Sequence, residues 1–356
     1  MQQLVPLKGD AMSLSTILAR QAGISDGTAN PLPLPKFNNY AVCNLRGGIG
    51  KTSLCFNLSY LTDDILVVDT CPQGNLSFFY DQNYFNSRRP SVYDMILPHI
   101  MPGLGTSSRV AQKIGATNEH FVAKNSFFIP SSDELYVLPT QMSTALTQAQ
   151  SIADSSRRMV MMDNLFYSLR NEIQREMSET KTARCLIDTS PFFSGGTHLV
   201  WHATDALIVP VRTDLQSINS LSLLLKLLSS SSGEFRRFMP SDQHTPKIQM
   251  IVLTHCGWST RPGAKNEPNQ QTKLYIQQIY DIVYQNISSF TTDDPTNHVV
   301  LLDDFLGSGR ISSAQSKPIE LLKPGETMTI NRTKVEVNKS VEKVKRQLEF
   351  INNSIW

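Results

Sequence analysis

The sequence predicts an α/β protein: a doubly wound, mostly parallel sheet with helices on both faces. Three observations carry that expectation. Residues 40–45 read as a short buried strand, 46–52 as a glycine-rich turn, 53–61 as a helix by apolar spacing, and 65–68 as an all-apolar strand. Strand, turn, helix and strand make a βαβ unit, which requires a parallel sheet covered on both faces. Residues 184–187, 206–211 and 248–254 repeat the all-apolar strand pattern. With 356 residues, 40% of them hydrophobic and 18% charged, the chain is long enough to bury a full core of this kind.

The remaining elements follow in order. Residues 1–38 end in Pro31, Pro33 and Pro35 and read as an N-terminal arm or small helix, so the globular domain is expected over 39–356. Residues 80–125 are polar, aromatic and irregular, an insert with one helix at Val92–Ile100. Strand character spans 127–138, and 148–178 read as long helices. Helix-like stretches at 218–228 and 274–287 alternate with the strands, and 299–302 is a last strand candidate. About six to eight strands in one sheet result. After Pro324, residues 327–330 and 334–337 flank Asn331-Arg332 as a hairpin would. A C-terminal helix at 339–355 places Val341, Val344, Leu348, Ile351 and Ile355 on one face, with Phe350 nearly opposite.

Composition narrows the function classes. The formal net charge of +2 sets no expectation for or against nucleic acid, so a polyanion would need a local patch. The five cysteines (Cys43, Cys55, Cys71, Cys185, Cys256) form no Cys-x-x-Cys pair and have no histidine at zinc-finger spacing, and they read as buried small hydrophobes in a reducing compartment. The N-terminus has no basic-then-apolar leader, and no run approaches the ~18 apolar residues of a membrane span. A cytosolic protein is expected.

The chemistry is concentrated at Arg46-Gly47-Gly48-Ile49-Gly50-Lys51-Thr52-Ser53. Three glycines let backbone N–H groups close around an anion, together with those opening the following helix. Lys51 brings positive charge to the outer phosphates of ATP, and Thr52 offers a hydroxyl to Mg²⁺. Leu45 stands where the strict phosphate-loop pattern has its first glycine, so this is the variant with paired glycines. Asp69 and Asp188 stand at strand ends, where an open parallel sheet places its ligand. They either hold Mg²⁺ or its waters, or serve as helix N-caps without metal.

Taken together, Arg46–Thr52, Asp69-Thr-Cys-Pro-Gln-Gly-Asn75 and Asp188-Thr-Ser-Pro191 resemble the phosphate loop, switch and Walker B strand of the ParA/MinD family of deviant Walker ATPases. Asp205-Ala-Leu-Ile-Val-Pro and the run from Gly309 through Lys317-Pro-Ile are similar as well, so the resemblance spans roughly residues 39–322. Pro72-Gln73-Gly74-Asn75 points to the ParA branch. The resemblance implies a P-loop NTPase of the SIMIBI type that binds ATP and Mg²⁺ and forms a homodimer with ATP. Hydrolysis would reset its association with DNA or another surface, with a cognate partner or adaptor protein and a cytoplasmic or nucleoid-associated location.

Two departures from the family stand out. Arg46 replaces the signature lysine that reaches the partner's phosphates; it is either a trans arginine finger or an ordinary solvated base. Cys71 replaces the aspartate that positions the attacking water, and a neutral thiol is a poor substitute for a carboxylate. The expectation is therefore a slow ATPase acting as a dimerisation switch that positions DNA or another cargo. The rivals are an ATP-binding scaffold with little hydrolysis and, more remotely, a nitrogenase-reductase-like enzyme, for which no distinctive cysteine pattern shows. Arg236, Arg237, Arg261, Lys265 and Lys273 are candidates for a basic face. Lys339, Lys343, Lys345 and Arg346 on the last helix invite a membrane reading, but packing of that helix on the sheet is the stronger one.

Overall fold

In a computed structural model that describes residues 10–86, 89–101, 109–231, 233–237, 239–240, 242–259, 261 and 266–356, the chain opens with α1 (Asp10–Asp26). The expected unit follows as β1 (Asn39–Val42), α2 (Lys51–Leu61) and β2 (Ile65–Asp69). Helices α3 (Asn75–Tyr80) and α4 (Val92–Ile100) lead to the two-residue β3 (Gln112–Lys113) and to β4 (Ser126–Ile129). Three helices, α5 (Leu138–Gln150), α6 (Ser155–Phe166) and α7 (Ser168–Thr180), precede β5 (Arg184–Asp188). Then come α8 (Gly195–Ala203), β6 (Ala206–Arg212), α9 (Leu215–Ser229), the short α10 (Glu234–Arg237) and β7 (Lys247–Thr254). The chain continues through α11 (Gln270–Gln285), β8 (Val299–Leu301) and α12 (Leu306–Gln315). It ends with the hairpin β9 (Thr327–Ile330) and β10 (Thr333–Glu336) and with α13 (Val341–Ile355).

The main sheet has eight strands in the order β3-β4-β2-β5-β1-β6-β7-β8. All pairs are parallel except β3 with β4. Alternation along each strand divides its side chains between two cores. Ala41, Leu66, Ile187, Leu207 and Ile251 face one cluster with α4, α5, α7, α8, α9 and α11. Tyr40, Val42, Val67, Leu186 and Ile208 face the other with α2, α3 and α13. The all-apolar strand pattern is thus the direct consequence of burial on both faces.

Several boundaries differ from the sequence expectation. β1 stops at Val42, where Cys43 and Asn44 bend toward β6: Cys43 N donates to Ile208 O, and Asn44 Nδ2 donates to Pro210 O at 2.7 Å. The strand expected over 127–138 ends at Ile129, because Pro130 follows and Ser132 caps a 3₁₀ turn leading into α5. The helices expected over 148–178 begin earlier, with α5, and are broken at Asp154, which caps α6. The irregular 80–125 region contributes the edge strand β3. By contrast α4 forms as expected, with a reciprocal Ser91–Asp94 capping box and Val92, Met95, Ile96 and Ile100 buried.

The N-terminal segment is built into the domain. Arg346 donates to Ser25 O, Leu32 N to Ser354 Oγ at 3.0 Å, and Tyr40 Oη to Ile355 O at 2.9 Å. Ile24, Leu32 and Leu34 join α13 in the second core, which is why Phe350, placed opposite the apolar stripe by sequence, is also buried. The basic side of α13 is engaged as well: Lys343 pairs with Asp303 and Lys345 with Glu342. Among the described residues no helix is long and apolar enough to cross a membrane. Leu348, 2% exposed on the inner face of α13, supplies a direct test of that packing. Leu348→Ala is expected to lower unfolding stability by about 3 kcal/mol, read from urea denaturation; unchanged stability would mean that α13 is not a core helix.

Candidate functional site

The register of the central strands brings the site residues to one level. Asp69 of β2 lies opposite Asp188 of β5, and Val42 of β1 lies between Asp188 and Ile208. The glycine turn therefore leaves the sheet at the carboxyl ends of the strands, where α/β sheets bind ligands. Gly48 (φ 70°) and Gly50 (φ 91°) both take left-handed backbone, and a Cβ on either would meet no atom within 4 Å. Glycine is required there for conformation, and the space beside it is open to a ligand. Gly50 caps α2, so the first N–H groups of that helix face the same opening.

Lys51 and Thr52 begin α2 and turn inward. Lys51 is 7% exposed, and its ammonium donates to Arg46 O at 2.7 Å across the loop. Burial pulls its pKa down, and Asp188 pulls it back up. Thr52 Oγ1 donates to Asp188 Oδ2 at 2.7 Å. The other Asp188 oxygen, Oδ1, is buried with no hydrogen-bond partner. Burial, then the neighbouring Asp69, raises the Asp188 pKa, and burial raises that of Asp69. Two carboxyls so placed favour a cation beside them.

Asp69 has a different setting. Its Oδ1 accepts from Cys71 N at 3.1 Å, and its Oδ2 accepts from both Ser77 N and Ser77 Oγ at 2.8 Å. The carboxyl thus ties both ends of the 71–77 loop to β2, with Gly74 (φ 62°) capping α3 between them. Cys71 is 5% exposed; burial and then Asp69 push its thiol up to about 12, so it stays neutral at physiological pH.

Arg46, read from sequence as either a trans arginine finger or a solvated base, is held within its own chain. Its Nη1 pairs with Asp214 and donates to Ser217 Oγ at 2.6 Å. Asp214 also accepts from Ser217 N at 2.9 Å as the cap of α9. Sequence reading passed over Asp214, although an acid just past a strand end and before a helical run was a usable signal.

Two cavities meet at the glycine turn. The smaller, about 210 Å³, is lined by the 47–53 turn with Cys71, Gln73, Asn75, Thr189 and Pro191. Asp69 and Asp188 lie behind it, 1% and 0% exposed. The larger, about 850 Å³, shares Gly48, Ile49, Gly50 and Ser53 with the first. Its other walls come from Thr254 and His255 after β7, from 302–306 after β8, from α12 and from the hairpin. Of these walls, α12 carries the Gly309 run of the family resemblance, whereas the segments after β7 and β8 carry no motif and share only their position after a strand end. The Lys317-Pro-Ile run reaches the site indirectly, through Ile319 N donating to Asn57 Oδ1 of α2 at 2.8 Å.

Among the described candidate basic residues, at least two have partners within the chain. Lys273 pairs with Glu267, Arg236 donates to Leu228 O at 2.9 Å, and Lys265 lies outside the described residues. All five cysteines are buried and unbridged, as expected.

A family model described as an AAA domain matches residues 38–238. The chain belongs to the ParA/MinD family of P-loop ATPases. It is 22% identical over 261 residues to the chromosome partitioning protein ParA of Caulobacter vibrioides, covering 72% of this chain and 81% of that protein. Two solved structures share the fold of this ParA/MinD-family chain. A complex of a Cyanothece McdA variant with ATP aligns with a TM-score of 0.55 at 17% identity, over 89% of this chain and 96% of that one. A putative plasmid partition protein from Borrelia burgdorferi B31 bound to AMPPNP aligns with a TM-score of 0.51 at 13% identity, over 89% and 98%. The Caulobacter relative is named for chromosome partitioning and the Borrelia protein for plasmid partition.

Proposed function

We propose that this chain is an ATP-controlled dimerisation switch that positions DNA or another cargo together with a cognate partner protein. The observation that carries the reading is the joining of two cavities at Gly48–Gly50, one sized for phosphates beside Lys51 and Thr52 and one large enough for a nucleoside. The relatives' partition functions and the nucleotides bound by McdA and the Borrelia protein support it.

The residues present fit Mg²⁺. Thr52 and Asp188 offer hard oxygen donors, and the buried Asp188 Oδ1, with no nitrogen or oxygen partner and only the weakly donating Cys55 thiol near the carboxyl, leaves room for a cation. When bound, Mg²⁺ would neutralise charge on the outer phosphates. Lys51 adds a second positive charge there, while Asp69 couples the phosphate site to the loop at 71–77. That loop would report nucleotide state to the surface. Cys71 supports slow turnover, and with it the neighbouring reading of an ATP-binding scaffold. A cytoplasmic, nucleoid-associated location follows from the same reading.

Arg46 completes it. To act across a dimer, its guanidinium must leave Asp214, so Asp214 would hold it back in the monomer. The test is sizing of the protein with ADP, ATP and a non-hydrolysable ATP analogue, each with and without DNA. Dimer is expected with ATP and the analogue alone. Arg46→Ala should weaken ATP-dependent dimerisation at least tenfold while sparing ATP binding. Asp214→Asn keeps a capable helix cap and removes the charge. The ion pair is about a quarter exposed on each side and worth about 1 kcal/mol at most, so this variant should dimerise at roughly two- to fivefold lower concentration. A monomer under every condition would overturn the switch.

A further inference from the structure

The hairpin is the one part of the site that neither the strand-end rule nor the family motifs account for. It stands apart from the main sheet as a two-stranded pair, and its turn residues Asn331 (φ 47°) and Arg332 (φ 64°) both take left-handed backbone. That is the two-residue turn whose twist suits a hairpin. Asparagine tolerates it, whereas for arginine the conformation is strained.

The hairpin contributes little to the core. Of its strand residues only Val335 is fully buried, with Met328 and Ile330 partly so. Its placement is nevertheless specific. A Cβ on Gly307 would lie 2.4 Å from Glu336 O, so only glycine in the first turn of α12 allows β10 to approach so closely. The preceding residue, Leu306, takes φ 47° and is 54% exposed. A left-handed leucine with its side chain largely in solvent is costly on both counts, and it lines the larger cavity. The apolar part of that lining includes Ile49, Leu302, Phe305, Leu306, Ile330 and Val335, and Asn331 lines it as well.

We infer that the β9–β10 hairpin is the outer wall of the base subsite, and that Ile330 and Asn331 with Leu306 give the chain its preference for a nucleoside triphosphate over bare triphosphate. The inference rests on the ATP-binding reading above and adds the element that grips the base. An exposed leucine in strained backbone, beside the half-buried Ile330, makes sense where a flat ring covers it, since the contact returns the area to burial. The phosphates stay with Gly48–Thr52, so the two halves of the ligand are held by separate parts of the fold.

That separation supplies the test. The double variant Ile330→Ala/Asn331→Gly removes both side chains, and glycine suits the turn at least as well as asparagine. Affinities for Mg-ATP and for inorganic triphosphate with Mg²⁺ are measured by calorimetry on the full chain. Wild type should bind ATP more tightly than triphosphate. The variant should lose about tenfold toward ATP, equivalent to ~1.4 kcal/mol, with triphosphate affinity unchanged. Unchanged ATP affinity in the variant, or equal loss for both ligands, would overturn the inference. So would a wild type that binds triphosphate as tightly as ATP, although the phosphate cradle would stand. A wild type that binds neither ligand would bring down the ATP-binding reading itself, and the inference with it.

Discussion

Replacing Lys51 with alanine is expected to weaken Mg-ATP binding by about 10²–10³-fold while leaving the melting temperature of the nucleotide-free protein within a few degrees of wild type. The two halves of that result have separate causes. With phosphates in the cradle, a buried ammonium facing their charge is a hydrogen-bonded ion pair, and truncating one partner of such a pair costs roughly 3–4 kcal/mol. Without nucleotide Lys51 is 7% exposed and its ammonium donates to Arg46 O. Burial disfavours its charge there and lowers its pKa, with Asp188 offsetting part of that, so its removal relieves a net desolvation penalty. The loop carbonyl loses its donor, worth about 1 kcal/mol, and the two effects oppose each other. Calorimetric titration of Mg-ATP and a thermal melt of the same sample read both. Normal ATP affinity in Lys51→Ala would show that the phosphates bind elsewhere; a collapsed melt would show that Lys51 acts as a structural cation.

The central sheet and the phosphate cradle were legible because burial on both faces writes itself as continuous apolar runs, and because left-handed turns beside an anion demand glycine. No polar–apolar alternation was needed to find the strands: those at 65–69 and 206–212 are apolar up to their last residue. Even the hairpin could be read, from two short β-rich runs around Asn331-Arg332. The partners of the site residues were not legible. Nothing in the local sequence says that Asp214 captures Arg46 across 168 positions, or that Asp69 spends both oxygens on Cys71 and Ser77. Those contacts depend on which strand ends become neighbours, and strand order is a property of the whole chain. The larger cavity was hidden for the same reason: its walls come from separate segments, and even the Gly309 run does not say in its own sequence which strand ends it will face.

Cys71→Asp should raise the ATPase rate by about 10²-fold or more, the contribution expected of a well-placed acid–base or water-orienting group. In the wild type, burial holds the thiol neutral at physiological pH, and a thiol is a weak acceptor for the attacking water. The loop does not depend on that side chain for its shape. Its conformation is set by backbone bonds, with Cys71 N donating to Asp69 Oδ1, Gly74 N donating to Cys71 O, and Ser131 Oγ donating to the same carbonyl. Aspartate can therefore enter without rebuilding the turn, and position 71 already lines the phosphate-sized cavity with Lys51 and Thr52. The new carboxylate would lie near Asp69 and Asp188, and that repulsion is the reason to expect the gain only with Mg-ATP bound, when the cations are in place. The measurement is phosphate release at saturating Mg-ATP for wild type, Cys71→Asp and Cys71→Asn. Asparagine has nearly the same shape and hydrogen-bonds water but cannot take a proton. A gain confined to aspartate would identify the missing function as that of a carboxylate, and a gain shared with asparagine would assign it to positioning of the water. Brisk wild-type turnover that neither variant improves would show that another residue already orients the nucleophile, and the slow-switch reading would then fall.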